Sequence, residues 1–331
     1  MTQAAPYTAE RVVLDGTEVI RLYDAGSRSE VLIAPSLGNN SYEMRVNGKR
    51  VFWSPYQTLG ELKAKPTFAG NPFLAPWANR LDQDAFWAND RKYLLNQDLH
   101  NVRHDGNGKP IHGLLSYAAE WQVVRMNASA DAAEVTSRLD FAKYPAYMAQ
   151  FPFAHSIEMT YRLKGTELQV QTMIENQSAE PMPLAIGFHP YFQVNDAPRD
   201  EWTVHVAAKE HEVLSDVLIP TGQRVPVTLA DPAPLKGTQL DDVFTGIVRG
   251  GDGRAEFWVQ GNHERVSVIY GPKFQVAVIY APAGRDFICF EPMTGLTNAF
   301  NLNHAGLYPE LQSVAPGATW TESFWIRATG F

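Results

Sequence analysis

Cysteine is nearly absent. Cys289 is the only one in 331 residues, which excludes an intrachain disulfide and rules out a Cys-based metal site. It sits in the apolar run Phe287-Ile288-Cys289-Phe290, where a thiol packs as a small hydrophobe in a buried strand. Long apolar runs are missing as well: no stretch approaches the roughly 18 residues that a membrane helix needs. Met1 to Val13 contains Glu10 and Arg11 but no apolar core, which argues against a secretory leader. Basic clusters are also lacking. The 28 Lys and Arg are scattered among 36 Asp and Glu, giving a net charge of -8 and a pI near 5.6. That balance argues against nucleic acid or an anionic membrane as partner. No P-loop, no G-x-G-x-x-G fingerprint and no Ser/His/Asp pattern is present, which removes support from phosphoryl, hydride and acyl transfer. The chain reads as a cytoplasmic enzyme or binding protein for a small molecule, monomeric or homodimeric, with no cofactor implied.

What is present is mostly β pattern. Arg11 to Asp24 alternates apolar and polar residues around Asp15-Gly16, Tyr42 to Trp53 does so around Asn47-Gly48, and Phe86 to Leu95 around Asn89-Asp90. Each reads as a hairpin. Glu120 to Met126 with Ala133 to Phe141, and Ala154 to Leu163 with Leu168 to Glu175, read as further strand pairs. Glu30 to Ser36, Pro183 to Phe188, Glu201 to Ala207, Glu256 to Gln260, Arg265 to Tyr270, Phe274 to Ala281, Phe287 to Phe290 and Thr319 to Ala328 complete the set. Tyr144 to Phe153 reads as a short helical or irregular crossing, and Val217 to Leu240 as irregular. Nearly twenty short strands with recurring turn signals predict one large all-β domain over residues 1–331, a sandwich or barrel.

Two short runs stand apart as chemistry. Gly187-Phe188-His189-Pro190-Tyr191-Phe192 sets a histidine among aromatics beside a stiffening proline, and Phe290-Glu291-Pro292 answers it about a hundred residues later. A His and a Glu in such runs form an acid/base pair suited to a small neutral substrate. The proline-punctuated segment 66–82 precludes a central strand and ends in Asn79-Arg80. That dipeptide is either a turn with a surface ion pair or a site where Arg80 is a forked donor to a ligand. His100, His104 and His112 match no established zinc spacing, so no metal is predicted. His100 and His104 read as solvated loop residues. His112, between Ile111 and Gly113 ahead of a strand leading to Trp121, suits a side chain aimed into a cleft. Asp241-Asp242 is either loop charge or a sugar-hydroxyl acceptor. Trp53, Trp77, Phe188, Tyr191, Phe192 and Phe290 could line a cleft interrupted by Arg80, His112, His189, Asp241 and Glu291, the composition that sugars favour.

These runs resemble the aldose 1-epimerase (mutarotase) family over most of the chain. Asn79-Arg80 is similar to its Asn-Arg element, and Ile111-His112-Gly113 followed by Trp121 to its His-Gly element. Gly187 to Phe192 is similar to its catalytic His-x-Tyr-Phe run. Leu240-Asp241-Asp242-Val243-Phe244 matches an Asp three residues before a Phe, which selects Asp241, and Glu291-Pro292 precedes Asn298-Ala299-Phe300-Asn301 as in the family. The resemblance implies a galactose mutarotase-like antiparallel β-supersandwich. It implies Glu291 as base and His189 as acid in opening an aldose ring, with Asn79, Arg80, His112 and Asp241 holding the substrate. Leu114, Pro190 and Met293 depart from the galactose-specific pattern and place the chain nearer the broad branch of the family. The alternatives are a hexose 6-phosphate mutarotase, with Arg80, Lys273 and Arg285 as phosphate ligands, or a non-catalytic carbohydrate-binding sandwich.

Overall fold

Turn chemistry shapes the first strands. Asp15 and Gly16 both have positive φ (48° and 71°), as do Asn47 with Gly48 and Asn89 with Asp90. These are the two-residue turns whose twist matches paired strands. They join Tyr7–Leu14 to Thr17–Asp24, Asn40–Val46 to Lys49–Arg50, and Ala85–Ala88 to Arg91–Leu94, so all three predicted hairpins form. The structure, a computed structural model, describes residues 6–67 and 69–331. The expectation of no secretory leader in Met1 to Val13 falls in part on residues 1–5, which lie outside the described residues, as does Phe68 within the segment 66–82.

The described residues form 26 strands and three short α-helices, Leu59–Ala64, Pro145–Met148 and Ala299–His304. The strand number exceeds the sequence expectation because several strands are only two or three residues long. The expected all-β sandwich is what forms. A nine-stranded antiparallel sheet runs from Ala233–Pro234 through the central Thr319–Thr329 and Glu167–Asn176 to Gln122–Ala128. An eight-stranded sheet runs from Pro220–Pro226 through Leu240–Ile247, Val276–Ala281 and Ile288–Met293 to Gly187–Phe188 and the edge strand Phe73–Leu74. Aromatic rings fill the space between the sheets. Phe188 meets Phe324 at 4.8 Å between ring centroids, and Phe290 meets Phe257 at 6.4 Å, and all four are fully buried. No helix among the described residues is long and apolar enough to cross a membrane.

Three expectations need correction. The stretch read as irregular contains Pro220–Pro226, which pairs with Ala208–Leu214, and Ala233–Pro234, which pairs with Thr203–His205. Both lie at sheet edges, where prolines are tolerated because one side of the strand needs no ladder bond. No strand leads from His112 to Trp121: Leu114 to Tyr117 form a turn, and the next strand begins at Gln122. The strand carrying Glu291 does not stop at Phe290 but continues to Met293.

Candidate active site

Strand register places His189 opposite Glu291. Gly187 pairs with Met293, and Tyr191 pairs with Cys289. The residue midway on each side is then His189 facing Glu291, and His189 Nε2 lies 3.3 Å from Glu291 Oε1. Side-chain alternation fixes the face. Phe188 and Phe290 point between the sheets, so His189 and Glu291 point to the opposite face. Tyr280 pairs with Cys289 and with Asp241, which carries both residues to that same face. Pro190 removes no needed donor, because the flanking N–H groups of His189 and Tyr191 already donate to Pro72 O and Gly70 O. The Tyr191 ring stacks on the His189 ring at 4.7 Å and 9°, fixing its plane.

The opposite wall comes from loops. Arg80 bridges Ile111, and His112 N–H donates to Asn79 O at 2.8 Å. Asn79 and His112 both have left-handed backbone (φ 55° and 64°), which Asn tolerates and His adopts only under local constraint. Gly113 follows at φ +63°, where an added Cβ would lie 2.2 Å from Ala75 O, so only glycine fits this turn. The constraint brings His112 edge-on to His189, with ring centroids 5.5 Å apart at 79°. Arg80 donates from Nε to Asp105 Oδ2 at 2.6 Å and from Nη1 to Asn79 Oδ1 at 2.9 Å.

These walls enclose a cleft of about 250 Å³ that contains all six predicted residues, Asn79, Arg80, His112, His189, Asp241 and Glu291. Arg103, His104, Asp105, Ile111, Val278 and Tyr280 also line it. Of these, sequence reasoning missed Arg103, Asp105 and Tyr280. Tyr280 sits in an apolar strand, and only pairing with Asp241 reveals its direction. Arg103 and Asp105 fall in a polar loop that looks like any other. His104 is exposed, as expected of a loop histidine, and pairs with Asp84 at 2.8 Å. The aromatic lining is a correction. Trp77, Phe188, Phe192 and Phe290 are buried core, and Trp53 packs with Tyr191 and Phe287 beside the cleft. Among the described cleft residues Tyr280 is the one Phe, Tyr or Trp. Of the proposed phosphate cluster, Lys273 is engaged elsewhere, its Nζ donating to Thr321 O at 3.0 Å and lying over Trp320, while Arg80 lines the cleft and the Arg285 charge reaches the cleft residue Tyr280. A larger cavity of about 800 Å³ lies between His205, Lys209, Arg254 and Arg327. It holds none of the candidate residues and mixes charges of both signs.

Burial governs the site's electrostatics. It pushes the Glu291 carboxyl well above the usual carboxylate range, with the Asp241 charge adding and Arg80 opposing. It drives His189 down to about 3 and His112 well below the ordinary imidazole value, where the charges of His189, Arg103 and Arg80 add to the effect. Asp241 is also raised by burial, with Arg80 opposing and Asp242 adding. Removal from water therefore favours neutral His189 and protonated Glu291, whereas their contact favours the imidazolium–carboxylate form. Both forms carry one proton between the two residues, so the couple can take a proton at one end while giving one at the other.

The site also holds a donor set that the sequence argument had set aside. The ligand atoms of His189, Cys289 and Glu291 all lie within 4.8 Å of one another. A lone cysteine therefore does not by itself exclude a mixed metal site, and that exclusion was too strong. The chemistry of the set fits poorly, however. Burial and the neighbouring Glu291 and Asp241 hold the Cys289 thiol well above its ordinary pKa, while metal ligation requires the thiolate.

The aldose 1-epimerase family model matches residues 35–327, a span that includes every cleft residue. The chain belongs to the aldose 1-epimerase family. The uncharacterized Escherichia coli protein YphB is 23% identical over 291 residues, which cover 83% of this chain and 90% of YphB. A galactose mutarotase-like protein from Clostridium acetobutylicum superposes with a TM-score of 0.87 at 20% identity, covering 98% of this chain and 99% of its own. Galactose 1-epimerase from Lactobacillus acidophilus superposes at 0.75 with 13% identity, covering 98% and 100%. At such identities the structures establish the shared fold. Within this aldose 1-epimerase fold the three departures have plain places. Leu114 N–H donates to Ala75 O, Pro190 sits in the link between Gly187–Phe188 and Tyr191–Phe192, and buried Met293 packs at Gly187. None of the three is among the cleft residues.

Proposed function

We propose that this chain interconverts the α and β anomers of a free aldose by acid/base ring opening and closure. The observation that carries the reading is the 3.3 Å contact between His189 and Glu291 within the cleft. Opening a cyclic aldose removes a proton from the C1 hydroxyl, adds one to the ring oxygen and breaks the bond between C1 and that oxygen. The net proton change is zero, which matches a couple that shares one proton. Glu291 takes the C1 hydroxyl proton and His189 protonates the ring oxygen. Rotation about the C1–C2 bond turns the aldehyde, and the two residues exchange roles on closure. The step starts from the imidazolium–carboxylate form that the His189 contact favours, and within that form a carboxylate raised by burial is a stronger base than an ordinary one.

His112, Arg80 and Asp241 hold hydroxyls and keep the opened chain in place for reclosure. Asn79 acts through Arg80, to which its side-chain oxygen is committed. The cleft is smaller than the roughly 300–1,000 Å³ of sites for drug-sized ligands, which suits a monosaccharide.

A phosphorylated hexose is the second reading, favoured by one observation: Arg103, exposed, lines the cleft beside Arg80. Without Lys273 the basic surface is thin for a phosphate dianion. Polarimetry of freshly dissolved α-D-glucose and α-D-glucose 6-phosphate separates the two. The free sugar is expected to have the higher kcat/KM, and a clear preference for the phosphate would transfer the assignment to a hexose 6-phosphate mutarotase.

A further inference from the structure

We infer that Asp105 is a positioning residue that anchors the Arg80 guanidinium at the rim of the cleft and keeps it off Glu291. The inference rests on the acid/base reading above and adds a residue to it.

The Asp105 carboxylate is held on both oxygens. Oδ2 accepts from Arg80 Nε at 2.6 Å, and Oδ1 accepts the N–H groups of Asn107 and Lys109 at 2.9 Å each. The loop closes on itself, with Asp105 N–H donating to Lys109 O and Gly108 N–H donating to Asp105 O. Lys109 Nζ then ties it to the chain just beyond Arg80 by donating to Asp82 O at 2.8 Å. The anchor is therefore fixed before any ligand arrives, and the ion pair is mostly shielded (15% and 10% side-chain exposure). On the Arg80 side, Nε is spent on Asp105 and one Nη1 hydrogen on Asn79. The remaining N–H groups of the fork make no hydrogen bond among the described residues and are open to a ligand.

The geometry also constrains what Arg80 can do instead. Asp241 and Glu291, both in the same cleft, feel its charge. Each is a buried carboxyl that a guanidinium would stabilise in its ionised form. Released from Asp105, Arg80 has two deeper acceptors to turn to. Pairing with Glu291 would weaken it as a base and compete with its contact to His189. The groups near Glu291 are His189 from the paired strand, Cys289 on its own strand, Asp241 and Tyr280 from the neighbouring strands, Tyr191, and Arg80 from the loop wall. Arg80 is the cation whose charge acts on Glu291, while Arg103 also lines the cleft and the Arg285 charge reaches Tyr280.

The test compares wild type, Asp105→Ala and Asp105→Asn by polarimetry on α-D-glucose across pH, with circular dichroism on each protein. Asp105→Asn keeps an oxygen for the Asn107 and Lys109 amides and removes the charge, so it covers the case in which Asp105→Ala does not fold. In folded variants KM is expected to rise about tenfold, the scale of one charge-assisted hydrogen bond. In addition kcat is expected to fall, with the acid limb of its pH profile moving to lower pH as Arg80 reaches Glu291. A residue that merely held the loop would lower melting temperature and leave KM and the acid limb of the folded protein unchanged. KM and acid limb within twofold of wild type in a folded variant overturn the inference while leaving the acid/base reading intact. No acceleration by the wild type in the same series overturns both.

Discussion

Replacing Glu291 with Gln is expected to lower kcat for anomer exchange by about 10³-fold, within the range for loss of a positioned base, with KM changed little. The amide has the shape of the carboxyl but cannot accept a proton, so ring opening loses its first step. Arg80, His112 and Asp241, the groups assigned to hydroxyl binding, are untouched. The fold should survive the exchange. Glu291 is 1% exposed, its Oε2 accepts no hydrogen bond among the described residues, and burial already disfavours its charge. A neutral amide of equal volume removes that electrostatic penalty, so the melting temperature should not fall. A variant as fast as wild type in polarimetry would remove Glu291 from the mechanism.

His189→Gln is expected to reduce kcat by about 10²-fold or more through loss of the acid at the ring oxygen, with a smaller change in KM. Tyr191 and the edge of His112 frame the ring, and neither depends on its proton. Because the two residues act as one couple, combining both substitutions should lower the rate little beyond the worse single variant. A fall in apparent affinity alone would make His189 a binding residue, and additive losses would mean that the residues act separately.

The parts of this site that were legible in the sequence are those whose signals are local. Asp15-Gly16 and Asn47-Gly48 announce their hairpins by residue type. Asn79-Arg80, His112-Gly113, His189 and Glu291 lie in short marked runs, and the structure gathers Asn79, Arg80, His112, His189 and Glu291 into one cleft. The aromatics were misassigned because a single run does not tell which face is the core. Alternation sends Phe188 and Phe290 inward on the same strands that present His189 and Glu291 to the cleft. Tyr280 was hidden for the complementary reason, since its direction follows from its pairing with Asp241, which is remote in sequence. Asp105 had no local mark at all, and its role exists only through the 2.6 Å contact to Arg80 across 25 residues of chain. The helix Leu59–Ala64 did carry a signal, the Thr58-x-x-Glu61 cap in which Glu61 N–H donates to Thr58 Oγ1. The helix Ala299–His304 has no side-chain cap and its ends could not be read.

The central claim is that the His189–Glu291 couple moves protons and does not merely bind a sugar. Magnetisation-transfer NMR on an equilibrated solution of a free aldose measures exchange between the α and β anomeric protons without any net reaction. With wild-type protein the exchange rate is predicted to rise in proportion to protein concentration and to saturate with sugar, while Glu291→Gln at equal concentration binds the sugar and leaves exchange near the buffer rate. Saturable sugar binding by wild type with exchange no faster than buffer, across glucose, galactose and the other common aldoses, would contradict the account and leave a carbohydrate-binding sandwich in its place.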